Sequence, residues 1–452
     1  MDFTNIFVIL YIVGTLSDFI LGQVLEFVSY LNRCSCGLEI PSELEGLVEK
    51  SSLEKTVSYK NACYRLWIPR NILSSVLNAF LLLSGVYSWV FTLLWTWSGN
   101  IYRTSIIFVL FSSLPGELLD LPFALYREFK IEKDFGFSNM TLKMWIADEL
   151  KGFVLNLVLI VPLVCAAVAI LTHAGFWWWL LLGSVYVAFT FVVSYVYPTL
   201  IAPVFNKFTP LPDGELKERL VSLVEKCGFH ARSIFVMDAS KRSGHSNAYF
   251  TGLGKNKRIV LYDTLIDQLS VDEIEAVLAH ELGHYKHKHI FKKRCVMIPM
   301  IFAVLFILAF LVLIPELYTG FGFNPDGNSL FAKTASIEII GGADGPTSIF
   351  VANAVPAYLW IFGIFLAFEI FSGFGWIASL IGNASSRRDE FQADSFSASM
   401  CGNGEPLVQA LVKLNKENLS ELCPPKIYCL FNYDHPPLLE RIRAVRKLHS
   451  EK

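Results

Sequence analysis

The chain reads VLAHELGHYKHKH from Val277 to His289, and this stretch is the strongest indication of how the protein folds. Within it, His280 and His284 are four positions apart, so both imidazoles lie on one face of a helix and can bind the same zinc ion. Glu281 lies between them and is placed to take a proton from a water molecule at the metal. The pattern predicts one zinc ion per chain.

The residues before this motif favour a helix. Ser270 followed by Glu273 is the pattern of a capping box, which predicts that the helix begins there. An apolar stripe then runs behind the metal face, formed by Val271, Ile274, Val277 and Leu278. The motif is therefore expected on a capped, amphipathic helix.

The composition is that of a membrane protein. Of 452 residues, 54% are hydrophobic and only 17% are charged. Seven stretches are long and apolar enough to cross a bilayer. They lie near residues 6–30, 72–95, 104–122, 153–172, 176–197, 296–318 and 355–381. The net charge of −2 gives no reason to expect a nucleic-acid partner, so the lipid bilayer is the predicted surrounding.

The distribution of lysine and arginine predicts the orientation in the membrane. Basic residues concentrate in segments 31–67, 123–152, 198–295 and the C-terminal tail. By contrast, 173–175 contains neither residue type and 319–354 contains only Lys333. Seven spans place all the basic segments on one side, so the N-terminus is predicted to face out and the zinc motif to face the cytosol. The first span lacks a basic leader and a cleavage site, and we expect it to remain as an anchor.

The spans divide the chain into four parts. These are a membrane domain with five spans (1–197), a first zinc-protease part (198–295), two spans with a glycine-rich outer loop (296–381) and a second zinc-protease part (382–452). Because the last two spans return the chain to the same side, the two soluble parts are expected to build one small α+β domain.

Two β-rich runs, Ser233–Ser240 and Arg258–Asp263, predict strands in the first soluble part, and TGLGKNK before the second run has the composition of a turn. The strands can form the floor of a substrate cleft, where an extended peptide adds to a strand edge. The alternative is a hairpin with a structural role only.

A catalytic zinc site needs a third protein ligand and leaves its fourth position to water. Glu390, just beyond the last span, is our candidate. Asp394 faces the same way on a predicted helix, and we assign it to the support of a liganding imidazole. The alternative is a solvated helix in which Arg387 and Arg388 pair with these carboxylates. The zinc motif favours the metal assignment.

Other polar residues are candidates for substrate contacts. Asn247, in GHSNAYFTG, can donate a hydrogen bond to a substrate backbone or an oxyanion. His435 precedes a Pro-Pro pair that fixes the local backbone, although a lone histidine before a helix is more often a cap or packing group. His287 and His289 continue the motif but should point away from the His280/His284 face, so we expect them to lie on the surface or to support the ligands rather than to bind the metal.

Ionisable residues interrupt the predicted spans, among them Asp18, Glu26, Glu117, Asp120 and Glu369. In lipid such groups should face a protein interior or a water-filled space. They indicate either contacts between helices and interfacial positions, or a wet chamber inside the bundle next to the zinc site.

Several stretches together resemble the CAAX prenyl protease 1 family, the integral-membrane type I CAAX endopeptidases. They follow the family's order and cover most of the chain: Leu121–Lys151, Tyr197–Leu211, SGHSNAYFTG, HELGHYKHKH, SSRRDEFQAD and HPPLLERI. The related heat-shock membrane protease shares the zinc pieces but is shorter and lacks the loop at 121–151, so it is the weaker match.

The resemblance implies seven helices around a large water-filled chamber, with the zinc site at the cytosolic end. The site residues that it implies are the zinc ligands His280, His284 and Glu390, the catalytic glutamate Glu281, and Asn247 and His435 for positioning the substrate or stabilising the transition state. The implied reaction is peptide hydrolysis that releases the last three residues after a prenylated cysteine.

One stretch departs from the family. ASIEIIGGADGPTSIFVA, at Ala335–Ala352, resembles a short part of the β-subunits of sodium-pumping decarboxylases. A glycine-rich loop insertion is the interpretation we favour. Because those pumps are bacterial, the stretch favours a bacterial inner membrane, with the endoplasmic reticulum membrane expected if the protein is eukaryotic.

We therefore predict an α-helical multi-pass membrane protein that is a CAAX-type zinc metalloendopeptidase. Its partner is a peptide or protein substrate, prenylated or unmodified, and its oligomeric state is unknown. One alternative is a quality-control zinc protease that acts on unprenylated membrane proteins. Alternatives of other classes are a transporter or channel with a structural zinc site, and a chaperone-like binder.

Overall fold

The computed structural model describes residues 2–228, 234–251, 258–323 and 355–450. The glycine-rich stretch Ala335–Ala352 lies outside the described residues, and so do Ser233 and the predicted turn at 252–257.

Helices form most of the described chain. In chain order they are α1 (Ile6–Cys36), α2 (Lys50–Leu83), α3 (Val86–Ser98), α4 (Ile101–Tyr126), α5 (Leu142–His173), α6 (Trp178–Val196), α7 (Ala202–Phe205), α8 (Glu215–Lys226), α9 (Asp263–Gln268), α10 (Val271–Lys286), α11 (His289–Leu311), α12 (Pro315–Thr319), α13 (Trp360–Ser372), α14 (Gly375–Met400), α15 (Glu405–Glu417), α16 (Lys426–Asn432) and α17 (Leu438–Ser450). The strands are β1 (Phe208–Pro210), β2 (Ile234–Met237), β3 (Ala248–Thr251) and β4 (Arg258–Tyr262).

The prediction of seven membrane spans is confirmed. Six are continuous helical stretches: Ile6–Cys36, Lys50–Leu83, Ile101–Glu132, Leu142–His173, Gly175–Phe205 and His289–Leu311. The seventh is a bent pair, in which α13 and α14 meet at an angle of 66°. After the bend, α14 leaves the direction of the span. Its second half belongs to the protease part and carries polar residues.

The predicted bounds of the second span, 72–95, are wrong. The helix ends at Leu83, and a new helix begins after Gly85, whose φ of +78° is a left-handed conformation that interrupts helical hydrogen bonding. The same helix begins already at Lys50. Its polar first half packs on soluble elements, with Leu53 buried beside residues of α15 and α17, so hydropathy alone did not identify it.

The spans close a ring. Each of α1, α2, α4, α5, α6, α11 and α13 packs against the next, and α13 packs against α1. The closure is tight where α1 meets the bend after α13, because a Cβ added to Gly373 would lie 2.3 Å from the carbonyl carbon of Gly14. Two helices can approach this closely only where small residues face each other.

Two of the acids named above, Glu26 and Asp120, line a cavity of 510 Å³ between α1, α2 and α4. Asp120 accepts two hydrogen bonds of 2.7 Å from Arg70, and Glu26 accepts one of 2.7 Å from the Tyr428 hydroxyl. Asp18, Glu117 and Glu369 do not line this cavity. The two acids beside this cavity are therefore paired, as expected for charges inside a membrane protein.

The soluble elements form a four-stranded sheet in the order β1-β2-β4-β3. The predicted runs contain β2 and β4, which pair in parallel, so they do not form a hairpin with each other. The flanking strands β1 and β3 are short, and the sequence pattern did not predict them. Leu261 from the sheet, Leu278 from α10 and Ala410 from α15 share one buried core, so the two soluble parts of the chain pack together.

Candidate active site

The helix that carries the two histidines begins at the predicted capping box. The Ser270 backbone N–H donates to the Glu273 carboxylate (2.7 Å), and the Glu273 N–H donates to the Ser270 hydroxyl (3.4 Å). The Glu273 carboxylate also accepts a 2.8 Å hydrogen bond from Lys413 of α15. Ile274 and Leu278 from the predicted stripe are buried. The start of α10 is thus held by its own capping box and by a contact with α15 of the second soluble part.

Helices α10 and α14 lie antiparallel and in close contact. A Cβ added to Gly283 would lie 2.9 Å from the Cα of Ala393, so only glycine fits at this crossing. One turn along, the Ser397 hydroxyl donates a 2.7 Å hydrogen bond to the carbonyl of Ala276. This packing brings Glu390, one turn from Ala393 on α14, next to the two histidines.

The three predicted ligands lie together. His280 Nε2 is 3.1 Å from His284 Nε2 and 3.4 Å from Glu390 Oε2, and His284 Nε2 is 3.1 Å from Glu390 Oε1. A tetrahedral metal with bonds of ~2.0–2.2 Å would separate its ligand atoms by about 3.3–3.6 Å. The observed separations therefore fit one small metal ion among these atoms.

The carboxylate of Glu390 gives a second sign of a metal site. The residue is only 3% exposed, and in the described part of the chain its Oε2 atom is buried without a hydrogen-bond donor. Arg441 Nη1 lies 3.7 Å from this atom, which is too far to donate a hydrogen bond. Leaving a buried carboxylate oxygen unsatisfied is costly, so a bound metal ion would supply the contact that this atom lacks.

Asp394 supports the first histidine. Its Oδ1 lies 2.8 Å from His280 Nδ1, the ring nitrogen that faces away from the other ligands. Arg441 of α17 holds the same carboxylate through hydrogen bonds of 2.8 Å and 2.6 Å. The sequence analysis assigned Asp394 to such a role but missed Arg441, although it lies in the HPPLLERI stretch.

The second histidine is supported by a residue that was expected to point away. The expectation for His289 assumed a continuous helix, but α10 ends at Lys286 and Lys288 adopts a left-handed φ of +55°. The buried His289 ring consequently lies with Nδ1 3.0 Å from His284 Nδ1, and its Nε2 lies 3.0 Å from Gln392 Oε1. His287 is exposed, as expected.

The remaining predicted residues border a cavity of 430 Å³ in front of the ligands. Its lining includes His280, Glu281, Glu390, Asn247 and His435. The Asn247 side-chain oxygen accepts from the Ala248 N–H (2.8 Å), so its amide nitrogen is the group left to donate. His435 Nε2 lies 3.6 Å from Glu390 Oε1. The fold therefore gathers residues from four separate stretches of the chain around one space.

This cavity adjoins the cavity between α1, α2 and α4. Glu421 and Tyr433 line both of them, so the space in front of the ligands continues towards the membrane spans.

The electrostatics of the site favour a base at Glu281 and make metal binding at His280 compete with a proton. Burial raises the pKa of Glu281 above that of an ordinary glutamate, which makes its carboxylate a stronger proton acceptor. Burial alone would lower the pKa of His280, but hydrogen bonds to Asp394 and Glu390 outweigh it and raise that pKa to about 9. His280 therefore carries a proton at neutral pH that a metal ion must displace.

Residues 31–207 match the family model described as "CAAX prenyl protease N-terminal, five membrane helices", and residues 210–449 match "Peptidase family M48". The chain belongs to the CAAX prenyl protease 1 family of M48 peptidases. It is 35% identical to the CAAX prenyl protease 1 homolog of Arabidopsis thaliana, over 90% of both chains. It is 30% identical to the human homolog, over 90% of this chain and 89% of that one.

The fold agrees with a solved member of the family. The crystal structure of S. mikatae Ste24p superposes with a TM-score of 0.80 at 28% identity, covering 97% of this chain and 99% of that one. The protein is thus an integral-membrane metalloendopeptidase of the CAAX-processing type. The alternatives of general quality control, transport and chaperone-like binding are not favoured by these relatives.

We expect Gly283→Ala to separate α10 from α14, because its methyl group would overlap the backbone of Ala393. Overpacking of this kind typically costs about 1–3 kcal/mol. The purified variant should bind less metal per chain and unfold at a lower temperature, measured by elemental analysis and thermal denaturation in detergent. Gly382→Ala on α14, where the added Cβ meets no atom within 4 Å, is the matched control. Full metal content and unchanged stability in Gly283→Ala would contradict the role of this crossing.

We also expect zinc affinity to rise with pH. Because His280, with its pKa of about 9, is protonated below that pH and only the neutral imidazole binds metal, affinity should increase by about tenfold per pH unit from pH 7 and level off near pH 9. Competition with a zinc-chelating dye measures this. In Asp394→Asn the hydrogen-bonded anion that raises the pKa is removed, so the curve should level off at lower pH. A zinc affinity independent of pH between 7 and 9 would contradict the displacement of a proton from His280 by the metal.

Proposed function

We propose that the protein is a zinc endopeptidase that removes the last three residues of prenylated CAAX proteins. In this proposal His280, His284 and Glu390 hold the zinc ion, and Glu281 is the catalytic base. The observation that carries it is the convergence of two imidazole nitrogens, 3.1 Å apart, with a carboxylate whose two oxygens lie 3.4 Å and 3.1 Å from them, at the edge of a cavity that Glu281 also lines.

Zinc held by these ligands would polarise the scissile carbonyl and lower the pKa of a water molecule. Glu281 takes a proton from the attacking water and delivers it to the leaving amine, a task for which its raised pKa suits it. Asp394 and Arg441 keep His280 in one orientation, and His289 does the same for His284.

Two further residues contact the substrate in this proposal. Asn247 donates from its amide nitrogen to the substrate backbone or to the oxyanion that forms on the scissile carbonyl. His435 is held by the carboxylate of Asp434, 2.7 Å from its Nδ1, and presents Nε2 towards the cavity, where it stabilises the tetrahedral intermediate.

The substrate peptide lies along β3 in this proposal. Among the strands of the described sheet, β3 is at the end of the order and pairs only with β4. Ser246, Asn247 and Ala248 line the cavity where this strand begins. An extended peptide can therefore pair with the outer edge of β3 and pass in front of the ligands.

The two soluble parts, 198–295 and 382–452, form one protease domain in this proposal. Their shared core and the contact between α10 and α14 support it. Without the second part the site would lack Glu390 and its neighbour Asp394.

We further propose that the site faces the cytosol. The end of α1 docks on the protease part, where Arg33 pairs with Glu421 at 2.7 Å, whereas Asn5 at its start donates to the carbonyl of Glu316 beyond α11. The N-terminus and the site therefore lie at opposite ends of the ring, and the excess of lysine and arginine at the protease end favours the cytosolic side. This orientation holds for either predicted membrane, the bacterial inner membrane or the endoplasmic reticulum membrane.

We expect wild-type protein in detergent to cleave a farnesylated CAAX peptide and release a tripeptide. Glu281→Gln should reduce kcat by about 10²–10⁴-fold, because a positioned general base is lost, while the bound zinc is retained. Glu275→Gln, on the same helix but paired with Arg219 away from the cavity, is the matched control and should stay active. The readouts are tripeptide release by mass spectrometry and zinc per chain.

The same peptide without the farnesyl group separates the two parts of this proposal. Slower cleavage of the unmodified peptide supports recognition of the prenyl group, and equal rates would refute it. Cleavage of neither peptide by zinc-loaded wild type would refute the CAAX assignment for this chain.

Thiol labelling tests the orientation in sealed vesicles whose cytosolic face is on the inside. Cys34 and Cys423 are exposed at the protease end, and His173→Cys adds a thiol at the far end of α5. A membrane-impermeant maleimide added outside should label His173→Cys at once, but the two natural cysteines only after permeabilisation. The reverse pattern would place the site on the outer side.

A further inference from the structure

An open cavity of 620 Å³ lies where the protease part meets the ends of two membrane spans, Leu142–His173 and Gly175–Phe205. Met144 near the start of α5 and Phe205 at the end of α7 contribute to its wall. Leu200 and Val204 are exposed apolar side chains on the second of these spans. The cavity is thus at the protease-side ends of two spans.

The lining of this cavity is also basic. Its charged lining residues are Lys207, Lys241, Arg242, Arg258 and one acid, Asp238. Lys241 pairs with Asp238 at 2.5 Å, and Arg242 pairs at 2.9 Å with Asp148, just outside the cavity. Two cations remain, Lys207 and Arg258, and among the described residues neither has a carboxylate partner.

Arg258 is held in place although it has no anion. Its Nη1 donates a 2.9 Å hydrogen bond to the carbonyl of Pro198, and its guanidinium lies 4.9 Å from the ring centre of Phe235. These contacts use one N–H group and one face of the guanidinium, and the remaining donors are available to an anion. A fixed arginine beside an exposed lysine is a common way to bind a phosphate group.

We propose that this cavity binds the phosphate headgroup of an anionic phospholipid. Lys207 and Arg258 contact the phosphate, Lys241 and Arg242 add positive potential, and the acyl chains lie along the exposed apolar side chains of the span Gly175–Phe205. A lining that is both basic and apolar, at the ends of two spans, matches the headgroup and the adjoining acyl chains of such a lipid. Because Arg258 begins β4, the bound lipid would anchor the sheet to the membrane surface.

The full chain in nanodiscs tests this site. Co-purified lipid is quantified after exchange into equal mixtures of phosphatidylglycerol and phosphatidylcholine. Wild type should retain phosphatidylglycerol preferentially, and Lys207→Gln with Arg258→Gln should reduce that preference by about tenfold, because each cation near a headgroup contributes to binding. The control removes two exposed lysines elsewhere, Lys55→Gln with Lys292→Gln, and should keep the preference.

Two outcomes would overturn the proposal. Equal lipid preference in the double variant and wild type would assign the effect to the general basic surface. Thermal stabilisation by inorganic phosphate alone, as large as that by phosphatidylglycerol and lost in the double variant, would identify a site for soluble phosphate. If the double variant fails to fold, Lys207→Gln alone, at an exposed position, should still lower the lipid preference several-fold.

Discussion

The antiparallel packing of α10 against α14 is the contact on which the rest of the site depends. The two histidines and Glu390 are separated in sequence by two membrane spans, and only the crossing at Gly283 and Ala393 brings them within 3.4 Å of one another. A side chain larger than hydrogen at this crossing would move the carboxylate away from the imidazoles. The geometry of the metal site is therefore set by helix packing rather than by the histidine motif itself.

Around this crossing the protein buries charges that contribute little to stability. Asp394 is 1% exposed and Arg441 is 9% exposed, and a buried ion pair of this kind often stabilises a fold no more than apolar residues would. The ion pair orients the His280 ring, because the paired carboxylate fixes which nitrogen of His280 faces the other ligands. His289 and Gln392 give His284 an equivalent support from the opposite side.

The membrane imposes the second constraint. A charge facing lipid is costly, and two acids near the protease end are paired, Asp120 with Arg70 and Glu26 with Tyr428. The cavity beside them adjoins the cavity in front of the candidate ligands. At the ends of the spans Leu142–His173 and Gly175–Phe205, Lys207 and Arg258 have no carboxylate partner among the described residues.

Local patterns in the sequence determined the membrane character, the capped helix, the candidate ligand residues and the number of spans, because hydropathy and helical periodicity act over a few turns. The bounds of the second span were not predictable in this way, since the polar half of α2 packs on residues hundreds of positions away. The parallel pairing of β2 with β4, the return of His289 to the site and the role of Arg441 were likewise decided by the tertiary structure. In each case the partner lies on another element or beyond a turn, so the residues adjacent in sequence do not predict the contact.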